Sequence, residues 1–148
     1  MALAEELVSF QANSFAMYSQ AHGYHWNVEG VMFKQFHAFF LEIYEDVYDA
    51  IDPISENIRK LGQHAPFGPL SWLNNASIKV NDDASLSAIE MIRELTVTNA
   101  ALVQQCKHVI DIAQQEDEEA IANFVADRLN QHQFWNWQLT STLKTMTI

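Results

Sequence analysis

Four side chains in the first sixty residues are of the types from which metal sites are built. His25 and His37 lie in "HGYHWNVEGVMFKQFH", residues 22–37, a stretch holding three of the chain's six histidines. Asp52 and Glu56 follow, four residues apart, so on a helix their carboxylates share one face. Two carboxylates that close suit a hard cation, and added imidazole suits iron or zinc. Each residue also has a plainer reading. Asp52 and Glu56 fit a solvated helix face, His25 a core histidine on an apolar stripe, and His37 an interface histidine beside Leu41 and Tyr44.

The elements that must position these groups are helices. Segment 3–28 puts Leu3, Leu7, Phe10, Met17 and Ala21 on one stripe, which His25 continues. Segment 32–61 carries Phe33, Phe36, Phe40, Ile43, Val47, Ile51, Ile54, Ile58 and Leu61, with a second face of His37, Leu41, Tyr44 and Tyr48. Segments 84–115 and 118–145 show the same periodicity, with Asp82 or Asp83 and Asp117 as expected N-caps. Four long amphipathic helices imply an all-α four-helix bundle in a single domain, 1–148. Between the second and third lies "GQHAPFGPLSWLNNASIKVNDD". Twenty-two structureless residues would be unusual in a compact domain, so Leu70, Trp72, Leu73 and Ile78 predict a short extra helix packed on an apolar surface. This connection must cross the bundle's length, so the topology is not simple up-down-up-down.

Helix rise constrains the site. His37 and Asp52 are fifteen residues apart on one helix, roughly 22 Å at 1.5 Å per residue. They cannot hold one metal within one chain. Two copies of the helix packed antiparallel about a two-fold axis would bring His37 of one subunit near Asp52 and Glu56 of the other, and the second apolar face could supply the self-complementary patch. A metal site inside the bundle would need Glu-x-x-His on two helices, and no histidine has a glutamate three residues before it.

The charge balance bears on partners. With 19 acids against 8 bases the formal net charge is −11, which disfavours wrapping DNA phosphates and favours collecting cations. Cys106, the only cysteine, leaves no disulfide within the chain and suggests a reducing, cytoplasmic setting. No apolar run is long enough to span a bilayer, and residues 1–10 lack the basic n-region of a signal peptide.

The stretch "HGYHWNVEGVMFKQFHAFFLEIYEDVYDAIDPISENIRKL" resembles the Dps family of mini-ferritins, within the ferritin-like superfamily. The likeness rests on His25-Trp26-Asn27-Val28, then Gly30, Phe33 and His37, then Asp52, Glu56 and Arg59, with weaker similarity along nearly the whole chain. The resemblance implies a ferritin-like bundle with a short helix in the central connection, twelve subunits forming a hollow shell, and iron oxidation at a site shared by two subunits. Hydrogen peroxide is the implied oxidant and a ferric mineral the stored product. His25 and His37 map to the family's two histidines, and Asp52 and Glu56 to the partner-chain acids. There are two departures. The family usually has Asp or Glu four residues after the second histidine, where this chain has Leu41; neighbouring Glu42 points about 100° away. This puts efficient ferroxidase activity in doubt and favours a single iron or zinc. Members that bind DNA often use a lysine-rich tail, which this sequence lacks. By the same analogy Asp117, Glu118 and Glu119 are candidates for lining a three-fold iron pore; helix N-terminal acids favoured by the dipole are the alternative. Trp26 is read as a radical quencher or core residue, His22 as an outer contact of His25 or as idle, and His132 and Cys106 as structural.

Overall fold

The computed structural model describes residues 2–145. It contains α1 (Ala2–Asn27), α2 (Phe33–Lys60), the short α3 (Pro69–Asn75), α4 (Ala88–Gln115) and α5 (Glu119–Thr145), with no strand among the described residues. The four long helices fall where the apolar stripes place them. Leu7, Phe10 and Met17 of α1 meet Phe40, Ile43 and Ile54 of α2, Leu95 and Leu102 of α4, and Val125 and Leu139 of α5 in one core. Truncating a ring such as Phe10 there to alanine would cost about 3–5 kcal/mol.

Polar contacts set the topology. The Leu3 main-chain N–H donates to Glu116 at 3.1 Å, so α1 begins beside the end of α4 and the two run antiparallel. α1 also packs antiparallel along α2, so α2 and α4 are parallel and the chain between them must traverse the bundle. Amides on α1 fasten that crossover. Asn13 Oδ1 accepts from the Ser77 and Ile78 main-chain N–H groups at 2.9 and 3.0 Å, and Gln11 Nε2 donates to Ser55 Oγ and the Pro66 carbonyl at 2.7 and 3.1 Å. Each bond satisfies a backbone or side-chain group that burial would otherwise strand.

Three details differ from the expectations. First, α4 is capped by Ser87, not by Asp82 or Asp83. The Ser87 hydroxyl accepts from the Glu90 N–H while the Glu90 carboxylate accepts from the Ser87 N–H, a capping box. Asp83 instead closes a turn, accepting from the Ser85 N–H and hydroxyl at 2.8 and 2.6 Å. Second, Asp117 does not cap α5. It sits at φ +59 just past the end of α4, with its N–H on the Gln114 carbonyl and that of Glu118 on Ala113, a Schellman ending. Third, α3 is too short to bury all its apolar residues. Trp72 stacks on Phe15 with ring centroids 3.8 Å apart, Ile78 lies beyond the helix against the core, and Leu70 and Leu73 face outward.

Candidate metal centre

A five-residue turn joins α1 to α2. Gly30 takes φ +115 there, a conformation that L side chains rarely adopt, and its carbonyl accepts from the Phe33 N–H at 3.1 Å. The reversal lays the last turn of α1 against the first turns of α2 and brings His25 opposite His37. The two residues bind each other reciprocally. His25 Nδ1 donates to the His37 carbonyl at 2.6 Å, and His37 Nδ1 donates to the His25 carbonyl at 2.7 Å. The rings stack, with centroids 3.7 Å apart and planes 14° from parallel, and Phe33 lies along the other side of His37 at 5.0 Å.

This arrangement determines which nitrogens are free. A carbonyl only accepts, so each Nδ1 carries its proton, and in the neutral ring each Nε2 lone pair is left for a ligand. Hydrogen bonding of the remote ring nitrogen is also how metal-bound imidazoles are oriented and made more basic. The His25 carbonyl belongs to the last turn of α1, whose oxygens have no intrahelical donor, so His37 also caps that helix. The donor set therefore fits a transition-metal ion such as iron or zinc.

Asp52 and Glu56 lie far along α2 and are exposed. Among the described residues no three His, Cys, Asp or Glu side chains of one chain converge on a point. Within one chain the two histidines and the two acids therefore stand apart. Leu41 is half-buried one turn after His37, where it offers no ligand atom, and Glu42 is exposed. α2 continues through Pro53 despite the missing N–H, with Asn57 Nδ2 donating back to the Pro53 carbonyl at 2.9 Å.

Beside the histidines is a cluster of rings from α1 and α2. His22 stacks on Tyr44 at 3.9 Å with planes 12° apart, packs against Trp26 at 4.2 Å, and lies 6.1 Å from the His25 ring. The Tyr18 hydroxyl and His22 Nδ1 are 2.9 Å apart, and Tyr18 also contacts Tyr44 and Tyr48. Burial, then the charge of His25, lowers the His22 pKa; burial, then Tyr48 and Tyr44, raises that of Tyr18. With the imidazole proton on Nε2, His22 Nδ1 accepts a hydrogen bond from the Tyr18 hydroxyl. Inside the chain α1 already covers much of the second face of α2, leaving Tyr48 as its most exposed ring. Tyr18 is spaced i, i+4 from His22, a signal the sequence held. Trp26 is 65 % exposed, which excludes a core role within the chain.

The remaining candidates sort by burial. His132 is fully buried. Its Nδ1 donates to Asn99 Oδ1 at 2.9 Å, and its Nε2 accepts from Arg128 at 3.2 Å. Arg128 pairs in turn with Asp46 through two bonds of 2.8 and 3.0 Å, and the Trp135 indole donates to the same carboxylate. Burial and the Arg128 charge push the His132 pKa down to about 3. Burial opposes ionisation of Asp46, yet Arg128 and Trp135 hold its carboxyl below the usual range. Burial pushes the Cys106 thiol up to about 12, so it packs as a neutral group. Asp117, Glu118 and Glu119 form the α4–α5 turn, with Asp117 and Glu119 exposed.

The sequence matches the ferritin-like domain family over residues 4–148. It is 28% identical over 143 residues to a DNA protection during starvation protein of Helicobacter pylori, covering 94% of this chain and 96% of that one. It is 33% identical over 115 residues to a protein of the same name from Brevibacillus brevis, covering 77% and 76%. The chain belongs to the Dps family of ferritin-like proteins. The fold agrees: the crystal structure of the Dps protein from Vibrio cholerae O1, described as a member of a superfamily of ferritin-like diiron-carboxylate proteins, superposes with a TM-score of 0.91 at 28% identity, covering 96% of this chain and 89% of that one. The matched region of this Dps chain reaches from the first turn of α1 through α5, and so includes both the His25–His37 pair and the Asp52–Glu56 pair. No helix among the described residues is long and apolar enough to cross a membrane.

Proposed function

We propose that this Dps chain assembles into a closed homo-oligomeric shell, a dodecamer built from two-fold dimers. The shell takes up iron(II), oxidises it at sites shared between subunits with hydrogen peroxide or oxygen as oxidant, and keeps the ferric product inside, limiting oxidative damage. Iron is the substrate and cargo. His25 and His37 of one subunit supply two Nε2 ligands, and Asp52 and Glu56 of another supply negative charge and oxygen ligands. The observation that carries this reading is the reciprocal tie between His25 and His37, which orients both rings and frees both Nε2 atoms. The exposed, separate position of Asp52 and Glu56 supports completion by a second copy.

Leu41 favours a second version of the same reading. Without an acid one turn after His37, the site binds one iron or zinc tightly and a second weakly, and the shell sequesters metal with slow oxidation. A net charge of −11 supports cation collection and argues against duplex DNA as a partner at physiological salt.

Light scattering combined with anaerobic calorimetry tests the proposal. A closed shell with one tight iron(II), cobalt(II) or zinc(II) per subunit is expected. A dimer with the same stoichiometry would mean a metalloprotein without a shell, and a monomer would refute the shared site.

A further inference from the structure

A one-iron site raises a problem of electron count. Reduction of hydrogen peroxide to two waters takes two electrons, and one iron(II) supplies one. Peroxide that receives a single electron splits into hydroxide and a hydroxyl radical. The rings beside His25 suggest where the second electron comes from. Starting at the ligand pair, His37 stacks on His25 at 3.7 Å, His25 meets Tyr44 at 5.3 Å, Tyr44 stacks on His22 at 3.9 Å, and Tyr18 touches both Tyr44 at 6.1 Å and Tyr48 at 5.1 Å. A phenol is hard to oxidise unless its proton leaves with the electron. Tyr18 alone in this cluster has an imidazole nitrogen within hydrogen-bond reach of its hydroxyl, His22 Nδ1 at 2.9 Å.

We propose that Tyr18 is a one-electron donor to the metal site, with His22 as the acceptor of its proton. The inference rests on the one-iron version of the shared-site reading above. Hydrogen peroxide takes one electron from iron(II), one from Tyr18 and two protons from solvent, and its O–O bond breaks to give two waters. The Tyr18 O–H proton passes to His22 Nδ1, leaving a neutral tyrosyl radical beside an imidazolium. A second iron(II) later reduces the radical, His22 returns the proton, and two iron(II) have been oxidised per peroxide at a site that holds one at a time. The same geometry makes Tyr18 an internal sink that keeps hydroxyl radical from escaping.

The test uses the assembled full-length protein loaded anaerobically with one iron(II) per subunit and mixed with hydrogen peroxide. Rapid-freeze paramagnetic resonance should show a tyrosyl radical, identified by its change in hyperfine pattern when tyrosine is supplied ring-deuterated. Tyr18→Phe keeps the ring packing and should abolish that signal, raise spin-trapped hydroxyl radical severalfold, and leave zinc(II) affinity and assembly unchanged. His22→Gln should slow radical formation and alter its spectrum, since the hydrogen bond to the phenoxyl oxygen is changed. An undiminished tyrosyl signal in Tyr18→Phe, a signal confined to tryptophan, or equal hydroxyl radical from wild type and Tyr18→Phe would overturn the assignment while leaving the metal site standing. Failure of wild type to bind zinc(II) or to oxidise iron(II) would overturn the metal-site reading and this assignment with it.

Discussion

His25 and His37 hold each other in place: each ring donates from Nδ1 to the other residue's main-chain carbonyl, at 2.6 and 2.7 Å. Turning the His37 ring would leave the His25 carbonyl, in the last turn of α1, short of a donor, and turning the His25 ring would strip its own Nδ1–H of the His37 carbonyl. In the proposed site the pair would therefore be pre-oriented before a metal arrives, with part of the ordering cost of binding met by the fold. Asp52 and Glu56 are exposed and have no such constraint within one chain. In the proposed shared site their orientation would come from the second copy or from the metal.

Removing one acid should weaken binding more at the site than beside it. Asp52→Ala is expected to lower zinc(II) affinity by about 10-fold or more, the scale on which loss of even a supporting contact acts. Asp49→Ala, also exposed and one turn earlier on α2, should change affinity little. Titration calorimetry on both assembled variants checks this, and equal losses would mean that bulk negative charge, not ligation, holds the metal.

Leu41→Asp restores a carboxylate one turn after His37. Second-metal occupancy should rise and iron(II) oxidation should accelerate, with light scattering unchanged. Anaerobic iron(II) titration followed by stopped-flow absorbance reads both. Two equal-affinity irons per site in wild type would contradict the role given to Leu41.

Stability should fall in mild acid because of His132. Its folded-state pKa is depressed to about 3 from about 6.5 in an unfolded chain. The unfolded chain takes up a proton that the folded one refuses. The contribution is therefore fully present above about pH 6.5 and declines as pH falls towards 3, by up to ~1.4 kcal/mol per pH unit. Asp46, whose pKa is also lowered, acts in the same direction but only further down, below the ordinary carboxylate range. Urea unfolding at fixed protein concentration should show a lower midpoint at pH 5 than at pH 7, and His132→Gln should shrink that difference. An unchanged difference would assign the acid sensitivity elsewhere.

The four long helices, the crossover and the separation of His37 from the acids were legible because periodicity and helix rise are local properties. The helix starts were less so. Asp83 and Ser87 are both good caps by type, and only the turn that Asp83 makes with Ser85 leaves Ser87 to cap α4. Asp117 looked like an N-cap because an acid before a helix usually is one, whereas the short link from α4 needed a residue at positive φ. Leu70 and Leu73 read as buried because they are leucines, but α3 has only one inward stripe and Trp72 occupies it. The tie between His25 and His37 could not be read at all, since main-chain carbonyls leave no mark in a sequence. Nor does the sequence single out Tyr18: its i, i+4 partner His22 gains a place in the cluster only with the ring of Tyr44 stacked against it.

The sharing of each site between two chains is tested most directly by mixing. One variant carries His25→Ala with His37→Ala, the other Asp52→Ala with Glu56→Ala, and each alone should bind no zinc(II) at the site. In a mixed two-fold dimer one of the two sites has all four wild-type ligands and the other has none. Co-refolded at equal amounts with random pairing, the mixture should recover about a quarter of the wild-type tight sites. Tight binding by either variant alone, or none in a mixture shown by mass spectrometry to contain mixed oligomers, would contradict the shared site.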